Sequence, residues 1–269
     1  MDIELFLQYE KNDGILSDHL RMSLDRCVKL GWGGVVNTVV ISKMKLMQYP
    51  PEPLPLSIEA QSIIKRSYGL YCMSDFSPFP QFTRLNLETD DVDEVQTLMR
   101  QIPTLKYTII SVTPLSDAVL KTICQSSDID IISFDVSQYL PKSASSSIKT
   151  AVSRGIYIEF RYSQFIESSA LRQSMISAAL SIKHFTRGRN FIFGNGSNDP
   201  DLIRSPVDVK NLAYVLDFKN PSLTTNTNAK DVIAKGLARQ CNAGVTRKIT
   251  PKLVESESES DDIPIIIRQ

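Results

Sequence analysis

Residues 154–212 constrain the fold of this chain most strongly, because two strands and two helices are predicted there in immediate succession. The run 156–161 is rich in the β-branched and aromatic residues that favour a strand. A helix of about twenty residues is predicted next, since apolar side chains recur at three- and four-residue steps and Gly188 stands where a helix C-terminus favours a left-handed residue. The apolar stripe of this helix is Leu171, Met175, Ala178, Ile182 and Phe185. This order of elements is typical of a parallel α/β fold.

A glycine-rich loop follows the second strand of this stretch. Residues 190–193 are predicted to form a buried parallel strand, and the next helix begins at Ser205 and Pro206, which suit an N-cap and a first helical turn. A loop of small residues between a strand and a helix N-terminus is a common binding site for phosphate. We therefore predict a phosphate-binding loop made of Gly194, Asn195, Gly196 and Ser197.

Strand and helix signals alternate through the rest of the chain as well. Further strands are predicted at residues 3–9, 34–42, 82–87, 107–112 and 129–134, and helices are predicted to begin near Asp18, Ile58, Val92 and Ser116. A continuous apolar run such as 34–42 is typical of strands that a parallel sheet buries on both faces. About seven or eight β-α units, each of about 30 residues, fit within the 269 residues. The predicted fold class is therefore α/β, an irregular TIM-like (β/α) barrel over residues 1–250.

The charge of the chain is balanced in total but uneven along its length. Residues 154–210 hold eight basic against five acidic side chains (+3), residues 227–252 hold six against one (+5), and residues 255–262 hold five acids and no base (−5). The acidic segment alternates with serine and cannot bury a core, so residues 251–269 are predicted to form a disordered, solubilising tail. An alternative is that Ser256, Ser258 and Ser260, each followed by an acid, are sites for an acidophilic kinase.

Cysteine usage and hydropathy favour a soluble protein in a reducing compartment. The four cysteines, Cys27, Cys72, Cys124 and Cys241, are isolated, and we predict that they are small buried side chains rather than disulfide partners. No apolar run approaches the 18 residues of a membrane span, and the N-terminus lacks the basic and apolar regions of a secretory leader.

The sequence contains few of the residues that catalysis would need. Barrel hydrolases with metal clusters use several histidines and carboxylates at strand ends, whereas this chain has two histidines, His19 and His184, both on predicted helices. No nucleophile elbow, Walker A loop or dinucleotide fingerprint occurs either. We therefore predict no catalytic residues and no metal ligands.

Basic residues offer another kind of site. Arg187, Arg189 and Arg204 bracket the glycine-rich loop, Arg247 and Lys248 follow later, and we expect these five residues to surround one rim of the barrel. Guanidinium groups and backbone amides suit the phosphates of RNA. A basic cluster by itself is more often a solvated face, and Arg84, on a predicted strand, can equally pair with a buried carboxylate.

The order of RGIYIEFRYS, SALR…ISAALS, GRNFIF, IRSPVDVKNL and GVTRK resembles the barrel-type protein subunit of archaeal and eukaryotic ribonuclease P, which eukaryotes share with ribonuclease MRP. The resemblance is specific from residue 154 to residue 248 and thinner upstream. It implies an RNA-binding subunit in the nucleus, or more narrowly the nucleolus, that supports removal of the 5′ leader from precursor tRNA and processing of rRNA. In such complexes the RNA performs catalysis with Mg²⁺, and the protein binds no cofactor.

The same resemblance implies partners and site residues. The partners are the ribonuclease P or MRP RNA, a small α/β protein subunit and, through the complex, precursor tRNA; no membrane is implied. The implied RNA-binding residues are Arg187, Arg189, Arg204, Arg247, Lys248, Arg84, Arg172 and Lys183.

Two alternatives remain open from the sequence. The family resembles the PHP phosphoesterases in fold, so the alternative function is a PHP-like metal-dependent phosphoesterase. At the first strand, where those enzymes have two histidines, this chain has Asp2 and Glu4, which we expect to be a solvated rim rather than a cation site. The other alternative is a scaffold that binds only proteins, through the apolar edges of the barrel.

Overall fold

Seven parallel strands form a nearly closed barrel in the computed structural model of this chain, which describes residues 2–9, 11–12, 15–16, 18–47, 49–68, 79–139, 141 and 145–241. In order around the barrel they are β1 (Ile3–Gln8), β4 (Gly34–Ile41), β5 (Gln81–Thr89), β6 (Ile109–Pro114), β7 (Ile131–Phe134), β8 (Tyr157–Arg161) and β9 (Phe191–Gly194). A short antiparallel ladder of β2 (Lys11–Asn12) and β3 (Ile15–Leu16) follows β1. The gap between β9 and β1 is bridged just beyond β9, where the Gly196 amide donates to the Phe6 carbonyl over 3.1 Å.

Helices surround the barrel. They are α1 (Asp18–Lys29), α2 (Ile58–Tyr68), α3 (Val92–Gln101), α4 (Asp117–Gln125), α5 (Ser145–Ser153), α6 (Gln164–Glu167), α7 (Ser169–Thr186), α8 (Pro206–Val215) and α9 (Thr227–Cys241). Short 3-10 helices lie at Met44–Leu46, Ile102–Thr104, Pro200–Leu202 and Pro221–Leu223. The larger hydrophobic core includes a stack in which the ring of Phe160 lies between those of Phe134 and Phe191, with centroid distances of 5.6 and 5.5 Å.

The structure confirms the predicted α/β barrel and most of its elements. Predicted strands and observed strands agree to within about two residues at each end. The caps agree as well: Ser116 accepts from the Val119 amide, and Ser205 and Asp208 form a capping box at the start of α8. The serine-rich α5 was not predicted, because only Ile148, Ala151 and Val152 of its nine residues are buried and its pattern is short. The predicted domain boundary at 250 and the predicted tail lie outside the described residues.

Two predictions about buried side chains need correction. Phe185 was predicted to face inward with the rest of its stripe, but it is half-buried and belongs to neither hydrophobic core cluster among the described residues. Cys27 and Cys124 are buried as predicted, whereas Cys241 is exposed because it ends α9; Cys72 lies outside the described residues. None of the helices in the described ranges combines the length and hydropathy needed to cross a bilayer.

Helix α9 closes the end of the barrel where the strands begin. Its Ala229, Val232 and Ile233 pack in a second apolar cluster with side chains near the strand starts, namely Ile3, Leu5, Val36, Ile109, Ile131 and Ile192. Arg239 donates to the buried Asp130 carboxylate over 2.6 Å and to the Thr108 carbonyl over 2.9 Å. This packing requires glycine at position 236, since a Cβ there would lie 1.8 Å from the Thr108 carbonyl oxygen.

Replacing Gly236 with alanine therefore tests the position of α9. We expect Gly236→Ala to lower the free energy of unfolding by about 1–3 kcal/mol, because the helix must move away from the strand ends. Helix propensity alone predicts the opposite effect, an increase of about 1 kcal/mol in the free energy of unfolding. Urea unfolding of the two proteins distinguishes the outcomes, and a stabilised variant would show that α9 does not approach Thr108 this closely.

Candidate nucleic-acid interface

A bidentate ion pair occupies the interior of the barrel. Arg84 on β5 and Glu159 on β8 both have fully buried side chains, and their two nitrogen–oxygen distances are 2.7 and 2.6 Å. The same guanidinium donates to Ser111 over 2.7 Å and to the Leu5 carbonyl over 3.2 Å. The expectation that Arg84 contacts RNA is therefore corrected. Its alternative, pairing with a buried carboxylate, is confirmed.

A second arginine fills the mouth where the strands end. Arg161, the last residue of β8, pairs with Glu88 and, over 3.0 Å, with Asp135. The guanidinium carbons of Arg84 and Arg161 lie 4.5 and 4.9 Å from the centroid of the Phe6 ring, within the range of cation–π attraction. The charges at this mouth are thus matched by groups of the chain itself.

The predicted phosphate-binding loop forms hydrogen bonds within the barrel instead. Its Asn195 amide donates to the Glu4 carboxylate over 2.8 Å, and its Gly196 amide is the donor that bridges β9 and β1. A Cβ at Gly194 would lie 2.6 Å from Glu159 Oε1, so the small residue makes room for the buried ion pair. The Ser197 hydroxyl accepts from the Asp199 amide. Since the amides of Asn195 and Gly196 are already bonded, the phosphate-binding prediction is corrected: this loop closes the barrel.

The carboxylates of the first strand are also bonded within the chain. Asp2 accepts from Lys210 and from Thr225, both over 2.8 Å. Glu4 is fully buried, and it accepts from the Tyr162 hydroxyl over 2.8 Å besides the Asn195 amide. The predicted solvated rim is therefore wrong for Glu4. In the described part of the chain, no group of three or more His, Cys, Asp or Glu side chains is placed to hold a metal ion.

Burial shifts the pKa of the Glu4 carboxyl. Desolvation raises the pKa of its carboxyl to about 7 from an ordinary 4.5, against hydrogen bonds from Asn195, Tyr162 and Phe6 that lower the pKa. The folded chain then binds this proton more tightly than the unfolded chain does. The resulting stabilisation is fully present below pH 4.5 and is lost as the pH rises to about 7.

Between pH 5 and pH 8, we expect the wild type to lose roughly 2–3 kcal/mol more unfolding free energy than Glu4→Gln does. The amide keeps an acceptor for the two backbone amides and cannot ionise. Urea unfolding of both proteins at the two pH values measures this difference. Equal losses would show that Glu4 titrates in the folded chain as it does in the unfolded chain.

The interior ion pair can be tested by removing one partner. Arg84→Gln should lower the free energy of unfolding by about 3–5 kcal/mol, because it leaves the Glu159 charge buried and unpaired. Arg100→Gln on the exposed surface of α3 is the control. It should change the free energy of unfolding by no more than about 0.5 kcal/mol. An Arg84 variant with unchanged stability and weakened RNA binding would instead support a contact between Arg84 and RNA.

The arginines predicted to surround the glycine-rich loop lie apart from it. Arg187 and Arg189 lie in the turn before β9, at the end where the strands begin, whereas Gly194 ends β9 and Asn195 to Ser197 follow it. Arg204 belongs to neither group, since its carbonyl accepts from Trp32 in the turn before β4. The four residues of β9 separate the two groups by about 13 Å along the strand. Proximity in sequence was misleading here because a parallel strand carries the chain from one end of the barrel to the other. Arg247 and Lys248 lie outside the described residues.

Arg187 and Arg189 border an open groove on the outside of the barrel, which we call the α5–α7 groove. It measures about 720 Å³ and is lined by Ser145, Lys149, His184, Phe185, Arg187 and Arg189. Among the described residues, none of its three Lys and Arg side chains forms an ion pair, and no acidic side chain lines it. Such unpaired cations favour an anionic ligand.

The turn that holds the two arginines is tightly built. Arg187 ends α7 in a left-handed conformation (φ 58), and Gly188 follows with φ 68 against the Phe218 ring. The Arg189 side chain donates to the Thr186 carbonyl over 3.4 Å. The predicted left-handed C-terminus at Gly188 is confirmed, with Arg187 sharing that conformation. Both arginine side chains remain exposed.

The other predicted RNA contacts lie apart from this groove or are bonded to the chain. Lys183 pairs with Asp217 over 2.7 Å, Arg172 donates to the Phe165 carbonyl over 2.7 Å, and Arg204 donates to the Asp201 carbonyl over 2.9 Å. Lys149 and His184 were not predicted as site residues. Lys149 was missed because it belongs to the unpredicted α5. His184 was considered only as a metal ligand, and a combined search for basic and aromatic residues at helix ends would have found it.

The fold and this groove together define a TIM-like barrel whose unpaired cationic surface lies on outer helices, away from the mouth where barrel enzymes hold their substrates. A family model described as RNase P subunit p30 matches residues 11–241, and the chain belongs to this family.

Individual curated relatives are similar to large parts of this chain. The protein GAMETOPHYTE DEFECTIVE 1 of Arabidopsis thaliana is 32% identical over 168 residues, 61% of this chain and 29% of that protein. Ribonuclease P protein subunit p30 of Mus musculus is 26% identical over 192 residues, 70% of this chain and 71% of that protein. The matched region is thus under a third of the plant relative's length and about 71% of the mouse relative's.

A solved structure shares the fold. A chain from a cryo-EM structure of archaeal ribonuclease P with mature tRNA superposes with a TM-score of 0.64 at 12% identity, covering 96% of this chain and 100% of that chain. At this identity the likeness shows the barrel fold alone.

Proposed function

We propose that this chain is a non-catalytic, RNA-binding protein subunit of ribonuclease P and of ribonuclease MRP, supporting removal of the tRNA 5′ leader and processing of rRNA. One observation carries the RNA-binding part: the α5–α7 groove presents unpaired lysine and arginine side chains in a member of the p30 family. Guanidinium groups bind the phosphates of RNA through paired hydrogen bonds and follow the shape of the backbone without reading its sequence.

The proposal includes partners and location. The family assignment supports an RNA partner, a small α/β protein subunit in the same complex, and precursor tRNA bound through the complex. Mg²⁺ would be bound by the RNA rather than by this chain. A nuclear or nucleolar location follows from the same family resemblance.

The C-terminal mouth of the barrel supports a non-catalytic role. Glu88 and Asp135 lie where strands end and Glu159 lies in the interior, and each of the three is paired with an arginine. A metal ion would have to displace Arg161 or Arg84 from these groups. The alternative of a PHP-like phosphoesterase is therefore not supported by these three carboxylates.

Binding to the groove is tested with a double variant and a matched control. Arg187→Gln combined with Arg189→Gln should weaken binding to the RNA that co-purifies with the native complex. The log–log salt slope should fall by about 0.7–0.9 for each phosphate that the variant no longer neutralises. Arg204→Gln, outside the groove, should leave the slope unchanged. Melting temperatures should hardly move, since exposed charges contribute only about 0–1 kcal/mol.

Fluorescence titrations from low to moderate salt measure these slopes. If the double variant binds like the wild type while Arg204→Gln binds more weakly, the interface lies near Arg204 rather than in the groove, and the groove proposal fails. Phosphodiester cleavage by the RNA-free chain, abolished in Asp2→Ala, would favour the phosphoesterase instead.

A further inference from the structure

Aromatic rings lie beside the cations of the α5–α7 groove. Phe185, near the end of α7, lines the groove and is packed in neither core cluster of the described residues. His184 is its exposed neighbour, and the two ring centroids are 6.0 Å apart with an interplanar angle of 70°. Phe185 therefore presents part of its ring to the groove instead of packing in the core.

Rings and cations together favour a particular form of RNA. A-form duplexes keep their bases stacked inside and present phosphates and 2′-hydroxyl groups, which arginine and lysine alone can contact. Unpaired nucleotides also expose the faces of their bases, and proteins bind those faces by stacking on aromatic rings. A purely phosphate-binding surface would make no use of the half-buried Phe185 ring that lines the groove.

The dimensions of the groove agree with a ligand of this kind. Its volume of about 720 Å³ falls within the range of about 300–1,000 Å³ that is usual for small-molecule sites. Lys149, which α5 supplies, and the Arg187–Arg189 turn line the same groove as the rings. A base on the rings would therefore have cations in the same groove for its flanking phosphates.

We propose that the α5–α7 groove binds an unpaired nucleotide of RNA, with its base stacked against Phe185 and meeting the His184 ring edge-on, and its phosphates held by Lys149, Arg187 and Arg189. This inference rests on the proposed RNA-binding function and narrows it to single-stranded RNA.

The test uses the full chain and two RNA probes at low salt. One is single-stranded octauridylate with a central 2-aminopurine, whose fluorescence is quenched by stacking; the other carries the 2-aminopurine inside a G·C-rich duplex of the same length, which stays paired at low salt. Phe185→Leu keeps apolar bulk but removes the ring, so it should weaken single-strand binding about fivefold or more and abolish the quenching. Duplex binding should stay within about twofold of wild type, since phosphate contacts remain.

Control variants separate the causes. Phe185→Tyr keeps a ring and should bind the single strand like the wild type, while Tyr49→Leu removes an exposed ring elsewhere on the surface and should have no effect. The melting temperature of each variant shows whether the barrel is intact.

The outcomes separate the stacking inference from the proposed RNA-binding function. Phe185→Leu with wild-type single-strand affinity and quenching, or with equal weakening for both probes, overturns the stacking inference. If the double variant Arg187→Gln with Arg189→Gln still weakens binding to both probes, the proposed RNA-binding function stands without the stacking inference. If that double variant changes neither probe, the proposed function of the groove fails as well.

Discussion

The buried ion pair between Arg84 and Glu159 is the interaction on which the rest of the barrel depends. It spans the interior from β5 to β8, and the Arg84 guanidinium also reaches the Leu5 carbonyl of β1. Two charges are stable in such a place only when nearly every donor and acceptor is bonded. The surrounding residues satisfy this condition: Ser111 accepts from Arg84, the Phe6 ring faces the guanidinium, and glycine at 194 leaves room for the carboxylate.

This arrangement explains why the groove that we propose as the RNA-binding site lies outside the barrel. Barrel enzymes hold substrates at the mouth where the strands end. Here that mouth contains Arg161 between Glu88 and Asp135, and the loop after β9 uses its amides to close the barrel. At the other end, α9 covers the strand starts and is anchored to Asp130. One groove in the described part of the chain combines aromatic rings with cations that have no ion-pair partner. These cations are Lys149 of α5 and Arg187 and Arg189 of the turn after α7.

The comparison of sequence with structure separates local from long-range information. The strand over 156–161, the long helix after it and the cap at Ser205 were predictable because β-propensity, apolar periodicity and capping are properties of neighbouring residues. The two roles that failed, for Arg84 and for the glycine-rich loop, depended on partners far away in sequence. Glu159 is 75 residues from Arg84, and Glu4 is 191 residues from Asn195.

The sequence by itself determined that this chain alternates strands and helices, that it forms an α/β barrel, and that basic residues exceed acidic ones over 154–210 and 227–252. Only the tertiary structure decided which basic residues have a counter-charge. Burial matches Arg84 and Arg161 with carboxylates, and the direction of β9 places Arg187 and Arg189 at the opposite end of that strand from the glycine-rich loop. The physical reason is that secondary structure follows from local periodicity and propensity. The availability of a charge instead depends on whether folding brings a counter-charge within a few ångströms, which a linear sequence does not reveal.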